Sequence, residues 1–203
     1  PIFTPPVVAD PDGPYGTLML PSAGGGTNWP GGSVDPETGI FYQFSFTNLV
    51  SLGLVHDPER SDMDFIRGNP PGVAPRDRSL NIRGLPLVKP PWGRISAIDL
   101  KTGDIIWQIA HGETPDNVRE HPDLQGVTIP RTGRPGRVGT LITKTLVIAG
   151  EGGTFTTPSG EVGAMLRAYD KATGVEVGEV YMPASVSGSP MTYMHDGAQY
   201  IVL

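Results

Sequence analysis

Apolar residues along the chain come in short bursts that are separated by glycine, proline and other turn-forming residues. This alternation is typical of short β-strands joined by turns, and it predicts roughly a dozen strands and no convincing helix. The strands predicted outside the repeat described next are Thr17–Leu20, Leu49–Val55, Thr140–Thr143, Thr145–Ala149, Met191–Met194 and Gln199–Leu203.

A repeated five-residue pattern, D-x-x-T-G, occurs at 35–39, 99–103 and 170–174, with spacings of 64 and 71 residues. The Asp carboxylate can accept hydrogen bonds from backbone N–H groups two or three residues on, and Gly supplies the positive φ that closes a turn. Strand-like residues follow every copy, so each copy is predicted to be the turn of a β-hairpin. Trp107, four residues after the second copy, is predicted to cover a neighbouring hairpin, whereas the third copy has Gly178 at that position.

Antiparallel hairpins that recur at intervals of some tens of residues are typical of a β-propeller, whose small sheets surround an axis. At roughly 45–70 residues per blade, the chain holds about three to four antiparallel blades, fewer than a complete ring usually has. The sequence therefore predicts an all-β fold, a partial β-propeller that forms a single segment over 1–203. Two long loops rich in proline are predicted at about 56–91 and 113–137.

Composition excludes several classes of protein. The chain contains 28 glycines and 22 prolines, which argues against an all-helical fold because both residues interrupt helices. It contains no cysteine, which excludes disulfides, zinc–thiolate sites and thiol nucleophiles. The net charge of −6 argues against a nucleic-acid-binding surface, so no nucleic-acid partner is expected. No apolar run approaches the roughly 18 residues of a membrane helix.

The ends of the chain favour a piece of a longer polypeptide; the alternative is a processed or trimmed chain. The chain opens on Pro1 without a methionine and stops at Leu203 inside an apparent strand. The rest of its own polypeptide is therefore an expected partner. Unpaired strand edges tend to recruit another chain, so the isolated fragment is expected to self-associate through them.

The most unusual segment is the loop that runs from Ser22 to Gly32. Its consecutive glycines, Gly24–Gly26, let a backbone approach another group closely. Asn28 offers an amide donor and acceptor, and Trp29 offers a flat stacking face. This combination suits a flat, oxygen-rich ligand; the alternative is a glycine-rich connection between blades with a tryptophan in the core.

The other polar clusters favour ordinary roles. An acidic cluster without the spacing of a calcium loop is interpreted as a solvated loop: Asp57, Glu59, Asp62 and Asp64. The histidines show no metal-binding spacing and are predicted to be surface or loop residues: His56, His111, His121 and His195. One loop carries three arginines that could meet an anionic group or serve local ion pairs: Arg131, Arg134 and Arg137.

Longer stretches of the chain resemble the dehydrogenases that depend on pyrroloquinoline quinone (PQQ). The segment 90–107, with its Pro-Pro-Trp-Gly-Arg start, resembles one of their blades, as do Thr132–Arg137 and Ala149–Gly153. The segments 166–184 and 189–202 are similar to the carboxyl-terminal part of the membrane-type quinoprotein glucose dehydrogenases.

This resemblance implies an eight-bladed propeller that holds PQQ and calcium, or a similar divalent cation, near its axis. It implies hydride transfer from a sugar or alcohol substrate to PQQ, with a general-base Asp, and passage of electrons to a ubiquinone-type acceptor. The family's G-x-N-W segment matches 26–29, which makes Asn28 and Trp29 the expected cofactor-binding residues. Nothing here matches the family's catalytic base or main cation ligands, so no catalytic or metal residue is named.

The resemblance also implies a periplasmic location, with membrane association if the full-length protein has an amino-terminal anchor. The 203-residue chain alone is expected to be inactive as a dehydrogenase. Two other hypotheses remain open: a non-catalytic propeller scaffold for protein–protein interaction in the cell envelope, and a sugar-binding propeller. In the latter, Trp29 and Trp92 would be stacking platforms.

Overall fold

The computed structural model describes residues 4–70, 72 and 80–203, and these consist almost entirely of β-strands and the turns between them. In chain order the strands of the described residues are β1 Val7–Val8, β2 Thr17–Met19, β3 Ser33–Asp35, β4 Ile40–Phe46, β5 Val50–Val55, β6 Ile66–Arg67, β7 Asn81–Ile82, β8 Leu85–Pro86, β9 Gly93–Asp99, β10 Ile105–Ala110, β11 Thr140–Ile142, β12 Leu146–Gly150, β13 Phe155–Thr156, β14 Val162–Asp170, β15 Glu176–Met182, β16 Met191–His195 and β17 Ala198–Val202. The all-β prediction is confirmed, and all six strands predicted outside the repeat are present within one residue or so of their predicted ends.

Helical structure within the described residues is confined to the predicted loop 113–137. It consists of one turn of α-helix, α1 Asp116–Arg119, and a 3₁₀ turn at Pro122–Leu124. The loop predicted at 56–91 carries β6, β7 and β8, and its residues 71 and 73–79 lie outside the described part of the chain.

The chain divides into two compact units. The described residues of 4–25 and 48–88 form the smaller unit, and residues 26–47 and 89–203 form the larger one. The grouping of all of them as one propeller segment over 1–203 stays a prediction.

The smaller unit is built around β5. This strand pairs with β1 in parallel and with β2 and β6 in antiparallel fashion, while β7 and β8 form a separate hairpin. Gly53 lies in β5, where a Cβ atom would meet the Tyr15 carbonyl oxygen at 2.6 Å and the Ala9 side chain at 3.0 Å. Only glycine allows the neighbouring segments to approach this strand so closely.

The larger unit contains two antiparallel sheets and a hairpin. The first sheet has the order β3–β4–β9–β10, so each strand lies beside its chain neighbour within the unit. The second has the order β11–β12–β14–β15, with β13 also paired to β14, and β16 pairs with β17. A four-stranded antiparallel meander of this kind is the blade of a β-propeller, and the chain is a partial propeller.

The D-x-x-T-G turns have the predicted geometry. In the third copy the Asp170 carboxylate accepts the backbone N–H groups of Ala172 and Thr173 at 3.1 and 2.9 Å and the Thr173 hydroxyl at 2.8 Å. Gly174 closes the turn with a φ of 73°, and its N–H donates to the Asp170 carbonyl at 2.8 Å. In the second copy the Thr102 hydroxyl accepts from the Asp104 N–H at 3.2 Å, as Thr173 accepts from Val175 at 3.3 Å, but it does not bond to the Asp99 carboxylate.

The core of the larger unit lies between its two sheets. Residues at alternate strand positions point to the same face, and together with Val138, which precedes β11, they supply the buried cluster of Tyr42, Phe44, Ile95, Ala97, Val138, Val147, Ala149 and Tyr169. Within one strand the members of this cluster are two residues apart, as Ile95 and Ala97 are on β9 and Val147 and Ala149 are on β12. Full burial of one aliphatic side chain such as Ile95 contributes about 1.5–3 kcal/mol.

Trp107 joins the two sheets, as the sequence predicted. Its indole N–H donates to the Lys171 carbonyl at 3.1 Å, and the Tyr42 hydroxyl donates to the same oxygen at 3.0 Å. The ring lies so close to Gly174 that a Cβ there would be 2.9 Å from it. A bond from the Lys171 ammonium to Asp35, 2.7 Å long, ties the first D-x-x-T-G turn to the third.

Candidate functional site

Residues 26–32 of the glycine-rich loop, which include Asn28 and Trp29, belong to the larger unit and lead into β3. The Gly26 carbonyl accepts the Phe46 N–H at 2.7 Å, which anchors the start of the loop to the end of β4. At the other end, Gly32 packs against the backbone of Tyr42, where a Cβ would approach the carbonyl oxygen to 2.5 Å. The glycines thus hold the loop tightly against the sheet at both ends.

The tip of this loop is a compact turn. The Asn28 carbonyl accepts the Gly31 N–H at 2.9 Å, and the Asn28 side-chain oxygen accepts the Trp29 N–H at 2.9 Å. Among the described residues, the Asn28 side-chain NH₂ has no hydrogen-bond partner. It is therefore available to donate to a ligand oxygen.

Trp29 projects outward from the turn, with 84% of the residue exposed. The alternative of a tryptophan in the core is therefore wrong. A large aromatic ring that is this exposed offers a stacking surface for a planar group. The role of Asn28 and Trp29 in cofactor binding stays a prediction.

Trp92 does not fit the sugar-binding hypothesis. It is only 6% exposed, and its backbone N–H donates to the Thr132 carbonyl at 2.9 Å. A buried ring cannot stack on a sugar, so the prediction of Trp92 as a platform is wrong.

The second feature of the larger unit that could carry a function is a buried network of charged residues around β14. Arg167, on β14, is fully buried and contacts four carboxylates from three segments of the chain: Glu113, Glu151, Glu176 and Glu179. Burial opposes the Arg167 charge, but the hydrogen bond to Glu151 and the nearby carboxylates outweigh it and raise the pKa of Arg167. Burial raises the pKa of Glu151, whose Oε1 accepts from Arg167 at 2.8 Å.

His111 is part of the same buried region and contradicts the prediction of a surface histidine. It is 1% exposed; its Nε2 lies 3.0 Å from the Gly150 carbonyl and its Nδ1 lies 2.8 Å from the Tyr169 hydroxyl. A carbonyl only accepts, so Nε2 carries the proton and Nδ1 accepts from Tyr169. Burial lowers the pKa of His111 to about 4, and the ring is neutral at pH 7.

The three arginines of the loop 113–137 have different surroundings. Arg131 forms ion pairs with Glu113 and Glu176, as predicted for a local ion-pair role. Arg134 is buried and donates to backbone carbonyls, including that of Glu113 at 3.1 Å. Arg137 is exposed and has no hydrogen bond or ion pair with any described residue.

The acidic residues of the smaller unit contact neighbouring residues of the same segment. Asp57 lies 3.4 Å from the Arg60 guanidinium, and the Asp64 carbonyl lies 2.7 Å from the His56 ring. Within 4–70, 72 and 80–203, no group of three or more His, Asp or Glu side chains has the arrangement of a metal site.

Sequence reasoning missed the Arg167 and His111 network because its members are far apart in the chain. Glu113 and Arg167 are 54 residues apart, and His111 and Tyr169 are 58 apart. The available signal was a charged or polar residue at the alternate, core-facing position of a predicted strand. Arg167 occupies such a position in the segment that leads to Asp170.

Comparison with known proteins identifies the relatives of the chain. A family described as "PQQ: Glucose/ethanol/alcohol dehydrogenase, beta-propeller domain" matches residues 1–201. Quinoprotein glucose dehydrogenase A of Acinetobacter calcoaceticus is 30% identical over 220 residues, which cover 100% of this chain and 24% of that protein. A probable quinate dehydrogenase (quinone) of Xanthomonas campestris pv. juglandis is 31% identical, over 92% of this chain and 24% of its own.

A solved structure shares the fold. The quinohemoprotein alcohol dehydrogenase of Comamonas testosteroni superposes with a TM-score of 0.56 at 22% identity, covering 91% of this chain and 23% of its own. The chain thus spans about a quarter of the length of the curated relatives it matches.

Proposed function

Because the chain belongs to the PQQ glucose/ethanol/alcohol dehydrogenase β-propeller family, we propose that it is the carboxyl-terminal segment of a PQQ-dependent sugar or alcohol dehydrogenase. The family match over 1–201 supports the enzyme class. The coverage of only 24% of the glucose dehydrogenase relative supports a segment that works together with further polypeptide.

The observation that carries the proposal is the loop of Asn28 and Trp29. PQQ is a planar fused-ring quinone with carboxylate groups, so it needs a stacking face and hydrogen-bond donors. Trp29 presents an exposed ring, and the neighbouring Asn28 presents an unpartnered side-chain NH₂ within the described residues. The residues present therefore fit the cofactor: Asn28 would donate to one of its oxygens, and Trp29 would stack on its ring.

When bound, PQQ supplies the two-electron acceptor for oxidation of a substrate hydroxyl group. This segment supplies part of its binding site and no catalytic base, so the 203-residue chain alone is expected to be inactive. The base and the ligands of calcium, or a similar divalent cation, are assigned to the rest of the polypeptide. Electrons pass to a ubiquinone-type acceptor.

The proposed location is the periplasm, on the basis of the family resemblance. None of the helices in the described ranges is long and apolar enough to cross a membrane. The isolated segment is expected to self-associate, because the strands of the β16–β17 hairpin are largely exposed.

Calorimetric titration of the intact apoprotein with PQQ tests the proposal. Trp29→Ala is expected to weaken PQQ binding by about 10-fold, since loss of one aromatic stacking partner costs on the order of 1 kcal/mol beyond the lost area. Trp29→Phe retains a ring and should recover part of the affinity. Tyr181→Ala removes an exposed aromatic residue of the outer strand β15 and serves as the matched control.

Two results would contradict the proposal. If the intact protein does not bind PQQ, the scaffold hypothesis replaces the enzyme. If it binds PQQ and Trp29→Ala matches Tyr181→Ala, the loop is not the cofactor contact.

A further inference from the structure

The Trp29 turn, residues 28–31, is held at its carboxyl side by side chains from two other parts of the larger unit. The side-chain NH₂ of Gln43, on β4, lies 3.4 Å from the Gly31 carbonyl and donates to it. The Ser189 hydroxyl donates to the Pro30 carbonyl at 3.1 Å, although the two residues are 159 positions apart in the chain. Two consecutive carbonyls directly after the tryptophan are therefore fixed from outside the turn.

Ser189 lies in the linker of residues 183–190, which joins β15 to β16. Val186 anchors the middle of this linker: its side chain is buried, and its N–H donates to the Glu151 carbonyl at 2.9 Å. Gly150 makes room for it, since a Cβ there would be 2.5 Å from the Val186 Cβ. The linker is thus packed on the end of β12 before it reaches the Trp29 turn.

Close backbone packing also fixes Ser189 itself. The Gly139 N–H donates to the Gly188 carbonyl at 3.4 Å, and a Cβ on Gly139 would be 2.8 Å from the Cα of Ser189. Only glycine allows the two segments to lie this close. The Ser189 hydroxyl therefore reaches the Pro30 carbonyl from a backbone that is held in place, and it connects the linker after the second sheet to the turn before the first.

The bond at Pro30 bears directly on Trp29 and Asn28. The proline ring fixes its own φ and restricts the residue before it, so few free torsions separate the anchored carbonyl from the backbone of Trp29. The same turn directs Asn28, whose backbone carbonyl accepts the Gly31 N–H and whose side-chain oxygen accepts the Trp29 N–H. A ligand that binds only this arrangement loses affinity in proportion to the fraction of molecules that leave it.

We propose that Ser189 is a positioning residue for the cofactor, and that its hydrogen bond to Pro30 holds the Trp29 turn in the arrangement that binds PQQ. The inference rests on the proposed function, since it takes PQQ as the ligand. Ser189 acts through the turn and takes no part in proton or hydride transfer. The cofactor loop beside the first sheet thus depends on the linker that follows the second.

The first test is calorimetric titration of the intact apoprotein with PQQ. Ser189→Ala is expected to weaken binding by about 3- to 10-fold, the range for loss of one hydrogen bond between neutral groups. Ser189→Thr keeps the hydroxyl and suits the extended backbone that precedes a proline, so it should bind PQQ like the wild type.

The same linker offers a matched control. Ser187 is exposed, and its side chain has no hydrogen bond to any described residue. Ser187→Ala is the same chemical change two residues away and should leave PQQ affinity unchanged. Ser189 is exposed as well, so all three variants should fold like the wild type, and circular dichroism checks this.

The second test needs no cofactor. The N–H groups of Trp29 and Gly31 are hydrogen-bonded within the turn, so their hydrogen exchange reports how often the turn opens. Mass spectrometry of the peptide that covers 28–31, from the intact apoprotein at short exchange times, should show faster exchange in Ser189→Ala than in Ser187→Ala. Ser189→Thr should exchange like the wild type.

The two tests together decide the inference. Weaker PQQ binding with faster exchange in Ser189→Ala, both restored in Ser189→Thr, supports it. If the wild type binds PQQ and Ser189→Ala binds it as tightly as Ser187→Ala, the inference is wrong while the proposed function stands. If affinity falls but exchange at 28–31 is unchanged, Ser189 does not act through the turn and the positioning role is refuted. If the intact wild type does not bind PQQ, the proposed function and this inference are both wrong.

Discussion

The buried, neutral His111 should make the stability of the protein depend on pH. In the folded state its pKa is lowered from 6.5 to about 4, mainly by burial, with opposing influence from the hydrogen bond to Gly150. In the unfolded state the ring is solvated and titrates near its ordinary value. The unfolded state therefore binds a proton as the pH falls below 6.5, whereas the folded state does not until the pH approaches 4.

The size of the effect follows from this difference. Each unit of pKa difference corresponds to about 1.4 kcal/mol, so His111 should lower the free energy of unfolding by about 3 kcal/mol between pH 6.5 and pH 4. Above pH 7 the penalty is absent, because the ring is neutral in both states. Below pH 4 the loss reaches its limit, since both states are then protonated.

Substitution of His111 by glutamine isolates this contribution. Glutamine does not titrate, and its side-chain NH₂ can replace Nε2 as the donor to the Gly150 carbonyl. The variant loses packing against Phe44 and Tyr169, which lowers its stability by an amount that does not depend on pH. The difference in stability between wild type and variant should therefore shrink on acidification.

The measurement is equilibrium urea unfolding of both proteins at a series of pH values between about 8 and 4, followed by tryptophan fluorescence. The other groups near the ring, Tyr169, Arg131, Arg167 and Glu176, are the same in both proteins, so the comparison isolates the side chain at position 111. Parallel pH profiles for the wild type and His111→Gln would show that the ring does not stay neutral in the folded state, and would refute the reasoning.

Two further substitutions test the packing of the larger unit. Trp107→Ala should lower the free energy of unfolding by about 3–5 kcal/mol, because it leaves a cavity above Gly174. Trp107→Phe should recover most of the lost stability and remain about 1 kcal/mol less stable than the wild type, because the hydrogen bond to the Lys171 carbonyl is missing. If urea unfolding shows the same loss of stability in both variants, the ring does not pack as described. Arg167→Met should cost about 3–5 kcal/mol, since it leaves the buried Glu151 without its cation, and the double variant with Glu151→Gln should be more stable than Arg167→Met alone. A double variant that is less stable than Arg167→Met by the same assay would be inconsistent with that explanation.

Local features could be predicted from the sequence because their interactions span only a few residues. The turn at Asp170 closes through hydrogen bonds to Ala172 and Thr173 and through the positive φ of Gly174, and all of these lie within one pattern. The strands could be predicted for the same reason, because the pattern of apolar residues reflects the pleat of a β-strand, which is a local property of the backbone. The position of Trp107 over a neighbouring hairpin was predictable only because the pattern itself is repeated.

The candidate site could be predicted from the sequence only in part. Glycine, Asn28 and Trp29 stand next to one another in the chain, so a loop suited to a planar ligand could be recognised. The exposure of Trp29 and the burial of Trp92 could not, because both tryptophans follow or precede proline and glycine in similar surroundings. Which of the two rings reaches solvent depends on the segments that pack against each of them.

The sequence alone was sufficient for the hairpins, their turns and the all-β class, since each depends on near neighbours and on periodic burial. The fold was needed to bring His111 to Tyr169 and Arg167 to its four carboxylates. Burial and the pairing of charges are properties of residues far apart in the chain, and they exist only once the two sheets have packed together.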